Sequence, residues 1–183
     1  MLIPALLAAL LLGGHTAQAQ GKNEFNVYLG GYNGEYTKAD VTRDYSMDLY
    51  AIYKEQYSVS SGPVITFEYN YAILDWLRVG LQVNGSRLKG TAYTRIDNRA
   101  SDFTRDFLYF LPEVKLRIPS PRHFRLYGKV AAGIRLENSG PAVFAYDLVP
   151  IGCEWGGQKV YGTAELAWGN VVRGGRIGIG FRF

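Results

Sequence analysis

The sequence predicts an all-β fold, an eight-stranded antiparallel up-and-down transmembrane β-barrel, on three observations. The first is the end of the chain, where Arg176, Gly178, Gly180 and Arg182 alternate with Ile177, Ile179, Phe181 and Phe183. A strand sends successive side chains to opposite faces. One face here is therefore wholly apolar and closes on an aromatic residue, while the other carries charge and glycine. The second is the beginning of the chain. Residues 1–21 hold no charged residue, Leu2 to Leu12 is almost wholly apolar, and Ala17-Gln18-Ala19 has the form of a cleavage site, the layout of a signal peptide. The third is that alternating segments of about ten residues recur along the chain, the length of a tilted membrane strand. No later stretch reaches the roughly 18 apolar residues of a membrane helix.

These observations divide the chain into a cleaved signal peptide, residues 1–19, and one barrel domain, residues 20–183. The single cysteine, Cys153, excludes an intramolecular disulfide and lies far from the cleavage site, which argues against a lipoprotein anchor. Aromatics are abundant, with 14 Tyr, 9 Phe and 3 Trp.

The first predicted strand runs from Glu24 to Tyr32, with Phe25, Val27 and Leu29 on its apolar face. The second runs from Val59 to Tyr71 and sets Ile65, Phe67, Tyr69 and Tyr71 against Thr66, Glu68 and Asn70. A tight turn at Leu74-Asp75 leads to the third, where Leu77, Val79, Leu81 and Val83 oppose Arg78, Gly80 and Gln82. In the fourth, Leu108, Phe110, Pro112, Val114 and Leu116 oppose Glu113, Lys115 and Arg117. Pro119-Ser120-Pro121 makes a turn, because proline fixes φ and donates nothing to a ladder. The fifth has Phe124, Leu126, Val130, Ala132 and Ile134 against Arg125, Tyr127, Lys129 and Arg135. The sixth, Val143 to Trp155, contains Pro150, which predicts a bulge. After a turn at Gly156-Gly157-Gln158, the seventh sets Val160, Ala164, Leu166 and Trp168 against Tyr161, Thr163 and Glu165. The eighth is the terminal strand.

Eight is an even number, as single-chain bacterial barrels use, and the connections alternate short and long. The long ones, Asn33 to Ser58 and Gly85 to Arg105, together with Glu137–Pro141 and Asn170–Gly174, fall at one end. Short periplasmic turns and longer outer loops are the barrel pattern, so both termini are expected in the periplasm.

The polar parity carries the charge. Glu68, Glu113, Glu154 and Glu165 face inward with Arg78, Lys115, Arg117, Arg125, Lys129, Arg135, Arg176 and Arg182. This tally leaves four bases in excess and matches the chain's net charge of +4. The basic balance is thus an interior property and gives little support to nucleic-acid binding, which shows as an exposed patch. An eight-stranded barrel is just wide enough for side chains to fill it, so the expectation is a plugged interior of ion pairs with tyrosines between them. A narrow channel for ions or small solutes is the alternative. Tyr69, Tyr71, Phe124, Trp155, Phe181 and Phe183 gather at the periplasmic end as an interfacial girdle, and Trp168 marks the other end.

No catalytic, cofactor-binding or metal-binding constellation emerges. After the signal there is one histidine, His123, in a predicted periplasmic turn, so a Ser-His-Asp site facing outward lacks its base. No His/Cys cluster, P-loop or dinucleotide fingerprint is present. An enzyme is not expected, and a lipid-modifying activity is the weakest alternative. The outer loops offer possible surface contacts. Tyr45, Tyr50 and Tyr53 in the first present apolar faces with polar handles. Arg95 and Arg99 in the second suit anionic lipopolysaccharide phosphates. The alternatives are a hairpin with tyrosines packed across it, and a merely solvated loop.

Tyr146-Asp147-Leu148-Val149-Pro150-Ile151-Gly152, Tyr161-Gly162-Thr163-Ala164-Glu165-Leu166 and Gly178-Ile179-Gly180-Phe181-Arg182-Phe183 resemble the small outer-membrane β-barrel proteins of Gram-negative bacteria, the OmpA-, OmpX- and OmpW-like porin-family barrels. Over the rest of the chain the resemblance is architectural only. It implies an outer-membrane address and a final strand read by the barrel-assembly machinery, with Phe181 and Phe183 as the key positions. It implies no single activity, since fold does not settle function. The expectation is a monomer without cofactor, embedded in outer-membrane lipid and lipopolysaccharide, with a structural or surface-interaction role through loops 33–58 and 85–105 and an extracellular ligand that the sequence leaves unnamed.

Overall fold

The computed structural model describes residues 22–34, 56–94, 99–118, 124–138 and 141–183. These hold nine strands: β1 (Asn23–Asn33), β2 (Gln56–Ser61), β3 (Val64–Ala72), β4 (Leu77–Thr94), β5 (Arg99–Ile118), β6 (Phe124–Glu137), β7 (Val143–Gly156), β8 (Val160–Gly169) and β9 (Val172–Arg182). Eight of them form a closed antiparallel ring in the order β4-β3-β1-β9-β8-β7-β6-β5, and the β4–β5 pairing completes it. The first and last strands of the ring meet at β1–β9, where Phe25 pairs with Phe181 and Leu29 with Ile177. The fold class is the one the alternation predicts. The expected signal peptide, the expected turn at Pro119-Ser120-Pro121 and His123 lie outside the described residues.

The ring is apolar outside and polar inside. Leu81, Val130, Ile134, Ile151, Leu166, Ile177 and Ile179 are exposed on the outer face, while Glu24, Asn26, Glu68, Gln82, Lys115 and Thr163 are fully buried. A soluble barrel would invert this arrangement. In lipid every backbone polar group must pair within the chain, which a closed ring achieves.

Three connections differ from the sequence reading. The predicted second strand is broken at Gly62-Pro63, because proline has no N–H to continue a ladder. Its first part becomes β2, which leaves the ring and pairs with the outer half of β4, from Gln56 opposite Tyr93 to Ser61 opposite Leu88. The predicted loop 85–105 is largely strand, with β4 and β5 paired continuously from Leu77 opposite Leu116 to Thr94 opposite Arg99. Alternation continues there, but Arg87 and Lys89 replace the apolar outer face of Leu81 and Val83. The outer row of β5 changes likewise from Leu108 to Asp106. Since Arg87 pairs with Asp106 and Gly85 with Leu108, both strands leave the apolar zone at one level. The pleat goes on where the lipid signal stops. Finally, only Asn170 and Val171 separate β8 from β9, because Val171 and Val172 are buried rather than looped out. Gly174, with φ 103°, accommodates a bulge in β9 against β1 there.

The bulge expected at Pro150 is present. Between Leu148 and Ile151, β7 carries one residue more than β8 opposite it, and the same shift appears against β6. Above it Ala145, Asp147 and Val149 are buried, and below it Gly152 and Glu154 are. The extra residue reverses the parity of the strand.

Candidate functional site

The interior is stacked in tiers from the end bearing the short turns to the end bearing the long β4–β5 hairpin. In the short-turn tier, β1 supplies Glu24 and β7 supplies Glu154. Arg78 reaches Glu24 at 3.4 Å. Arg117 pairs with Glu24 and lies 3.0 Å from Glu154. Arg182 pairs with both. Arg125 approaches Glu154 at 3.9 Å from the rim, where a quarter of its side chain is exposed. Gly180 makes room for this tier, because a Cβ there would overlap the Tyr161 ring and the Asn26 amide.

The middle tier contains Glu68, Glu113, Lys115 and Lys129. Lys129 pairs with Glu68 and stands 3.7 Å from Glu113. Lys115 bridges downward to Glu154 at 2.9 Å and across to Glu68 at 3.6 Å. Asn70 donates to Glu68 at 2.6 Å and to Glu113 at 2.7 Å, and Asn26 donates to Glu68 at 3.0 Å. The outer tier is built on Arg176, which contacts Asp147 at 2.9 Å and pairs with Glu165. Glu165 also receives Lys129 at 3.1 Å and the Tyr127 hydroxyl at 2.6 Å. Tyr28 lies between two cations, with Lys129 5.1 Å and Arg176 5.2 Å from its ring centroid.

Beyond Arg176 the interior turns apolar. Val64, Leu88, Leu111, Val149, Val171 and Val172 form one buried cluster, with Phe103 packed against it. Asn33 ties this layer together by donating to Ser86 at 2.9 Å and to the Tyr109 hydroxyl at 2.8 Å. At the same end Arg135 pairs with Glu137 at 4.0 Å.

The structure thus brings Glu68, Arg78, Glu113, Lys115, Arg117, Arg125, Lys129, Glu154, Glu165, Arg176 and Arg182 into one continuous network. Two further acids belong to it that the sequence tally omits, Glu24 and Asp147. Glu24 shares the parity of Asn26 and Tyr28, so its alternation already pointed inward. Asp147 was hidden by the bulge, which puts it out of phase with Glu154. With both counted, seven bases face six acids, and Arg135 has Glu137. The interior therefore does not account for the net charge of the chain.

Phe181 and Phe183 are exposed on the outer face at the short-turn end, beside Tyr71, Phe124 and Trp155. Tyr69 stands with them and donates to Asn23 at 2.8 Å. Trp76, in the β3–β4 turn, adds an exposed aromatic to this belt. Trp168 is exposed toward the opposite end. Of the proposed surface contacts, Tyr45, Tyr50, Tyr53 and Arg95 lie outside the described residues. Arg99 opens β5 opposite Thr94. On the hairpin's outward face, Arg87 makes a two-point contact with Asp106 at 2.6 and 3.1 Å. These hydrogen bonds hold the Asp106 carboxyl below its ordinary value of 3.8.

The family model described as outer membrane protein beta-barrel domain matches residues 5–170. None of the curated proteins matches the chain. The matched span ends just before β9, the strand that closes the ring against β1.

Proposed function

This chain belongs to the outer membrane protein beta-barrel domain family, and on that premise we propose that it is a small barrel with a filled, non-conducting interior and a structural or surface-interaction role. Its address is the bacterial outer membrane. The observation that carries the reading is the stack of two different seals. Lys115 and Lys129, with no exposed side-chain surface, bridge carboxylates across the lumen, and above them Leu88, Val171 and Val172 are fully buried in an apolar layer. A hydrated path would have to break the ion pairs and then wet a constriction that favours dewetting.

The surface role falls to the outer end. Arg87 and Lys89 stand at the edge of the apolar zone and, with Arg95 and Arg99, complement anionic lipopolysaccharide phosphates, while Tyr45, Tyr50 and Tyr53 offer apolar faces with polar handles to an extracellular ligand. The barrel works as a monomer, without cofactor and without catalysis. Residues 1–19 direct its export and are removed, and Phe181 and Phe183 present the terminal strand to the barrel-assembly machinery.

Purified protein in planar bilayers tests the central claim. No steady single-channel opening is expected, and reproducible openings would overturn the filled-interior reading in favour of a narrow channel. Unchanged membrane lipid profiles on deletion and overexpression are expected of a non-enzyme.

A further inference from the structure

The tiers of the interior are not equally balanced. Four guanidinium groups, those of Arg78, Arg117, Arg125 and Arg182, converge at the short-turn mouth on two carboxylates, Glu24 and Glu154. In the middle tier Lys129 meets Glu68 and Glu113 and Lys115 meets Glu68, and in the outer tier Arg176 meets Asp147 and Glu165. The positive excess is confined to one mouth of the barrel.

One carboxylate oxygen bears most of it. Oε2 of Glu154 is shared by Arg117 at 3.0 Å, by Arg182 and, more distantly, by Arg125 at 3.9 Å. A carboxylate offers about four acceptor sites over its two oxygens, and Oε1 is engaged by Lys115 at 2.9 Å. Donors are left over. Nε of Arg117 and Nη1 of Arg182 are buried with no hydrogen-bond acceptor among the described residues. Arg182 cannot readily turn to find one, because its guanidinium lies over the Tyr161 ring at 3.8 Å while its other nitrogens hold Glu24 and Glu154. Burying a charged donor unsatisfied is costly. Arg125 stands outermost of the group, partly exposed and too far from Glu154 for a hydrogen bond.

We propose that the short-turn mouth is an anion site that takes one dianionic phosphate group, held by Arg117, Arg125 and Arg182. The excess of two positive charges selects the ligand. A phosphate monoester carries close to two negative charges at neutral pH, whereas a carboxylate would leave one cation uncompensated. The planar guanidinium fork matches the paired oxygens of a phosphate. The phosphate arrives either as a soluble anion or as the headgroup of a lipid in the adjacent leaflet.

The test uses the complete barrel folded in non-ionic detergent and titrated with inorganic phosphate at constant ionic strength, followed by 31P NMR and calorimetry. A parallel arm places the barrel in nanodiscs containing phosphatidic acid. Saturable one-to-one binding is expected in at least one arm. Response to inorganic phosphate assigns a soluble ligand, and a bound phosphatidic-acid resonance without it assigns a headgroup. R125Q and R117Q should each weaken binding about tenfold or more, the loss of one charge-assisted hydrogen bond, and R135Q at the opposite end should leave it unchanged. Heat-modifiable gel mobility verifies that each variant is folded, and Arg125 at the rim is the substitution least able to disturb folding. The proposal is overturned by a folded barrel that saturates with neither probe, by R125Q and R117Q binding like the parent, or by R135Q losing as much as they do.

Discussion

Asp147 and Glu154 lie on one strand at an odd separation, yet both are buried in the lumen. Strict alternation would send one of them into lipid. The bulge between Leu148 and Ile151 allows both to point inward. Deleting Pro150 removes the extra residue and the bulge together, leaving Asp147 and Glu154 an even number apart on a regular strand with both still inward. Inserting one alanine after Cys153 instead turns Glu154 outward. A charge on the lipid face costs about 2–4 kcal/mol near the midplane, in addition to the partner left unpaired inside. The insertion variant is expected to lose the heat-modifiable folded band, whereas the Pro150 deletion and P150A should keep it. Normal folding of the insertion, or loss of the folded band in the deletion, would show that parity in β7 is not set by this bulge.

Lys129 is the hub of the middle tier, with Glu68, Glu113 and Glu165 around it. K129M is expected to destabilise the barrel by about 3–5 kcal/mol, because it leaves buried carboxylates without their cation. The midpoint of urea unfolding in detergent measures this. Adding E68Q should recover part of the loss, since it removes one of the orphaned charges. A K129M midpoint equal to that of the parent would mean that the tier is hydrated rather than paired.

Gly180 faces Tyr161 and Asn26 so closely that any Cβ would displace them. G180V is expected to cost about 1–3 kcal/mol by overpacking. The ring that supports Arg182 would shift with it. If the strain lies against that ring, Y161A should relieve part of the cost of G180V in the double variant. Full additivity of the two substitutions would place the strain elsewhere.

Asp106 titrates outside the apolar zone, and its carboxyl is lowered by hydrogen bonds from Arg87. A depressed folded value means that the pairing contributes above the ordinary value of 3.8 and fades as pH falls through the folded one. Carboxyl chemical shifts followed by NMR should place the Asp106 midpoint below that value, and R87Q should return it toward normal. An unchanged midpoint in R87Q would sever the link between the two.

Phe183 is exposed on the outer face, and its backbone N–H donates to Asn23 at the β1–β9 seam at 3.1 Å. Removing it takes away both an interfacial aromatic and the last rung of ring closure. The truncated protein is expected to insert poorly in cells while still folding, more slowly, into detergent. Full insertion in cells would refute its role as an assembly signal.

The barrel was legible because alternation is a local property. Ile65, Phe67, Tyr69 and Tyr71 against Glu68 and Asn70 announce a strand, an outer face and an inner face without reference to any other part of the chain. The inward charges were legible for the same reason. What was not legible were the places where the pleat and the solvent change independently. Arg87 and Asp106 made a strand look like a loop, because the outer face turned polar while the backbone went on pairing. Asp147 was lost because a bulge shifted its phase.

By itself the sequence determined the strand class, the lipid-facing residues and most of the buried charges, since each follows from the period of two; Asp147, shifted in phase by a bulge, did not. Only the tertiary structure decided which charges meet. Arg182 and Glu24 are far apart in the chain and become neighbours because β9 closes on β1. The uneven distribution of arginine toward one mouth likewise exists only once the ring is closed. Closure is a long-range event fixed by register, and register follows from the pairing of strands rather than from any one strand's alternation.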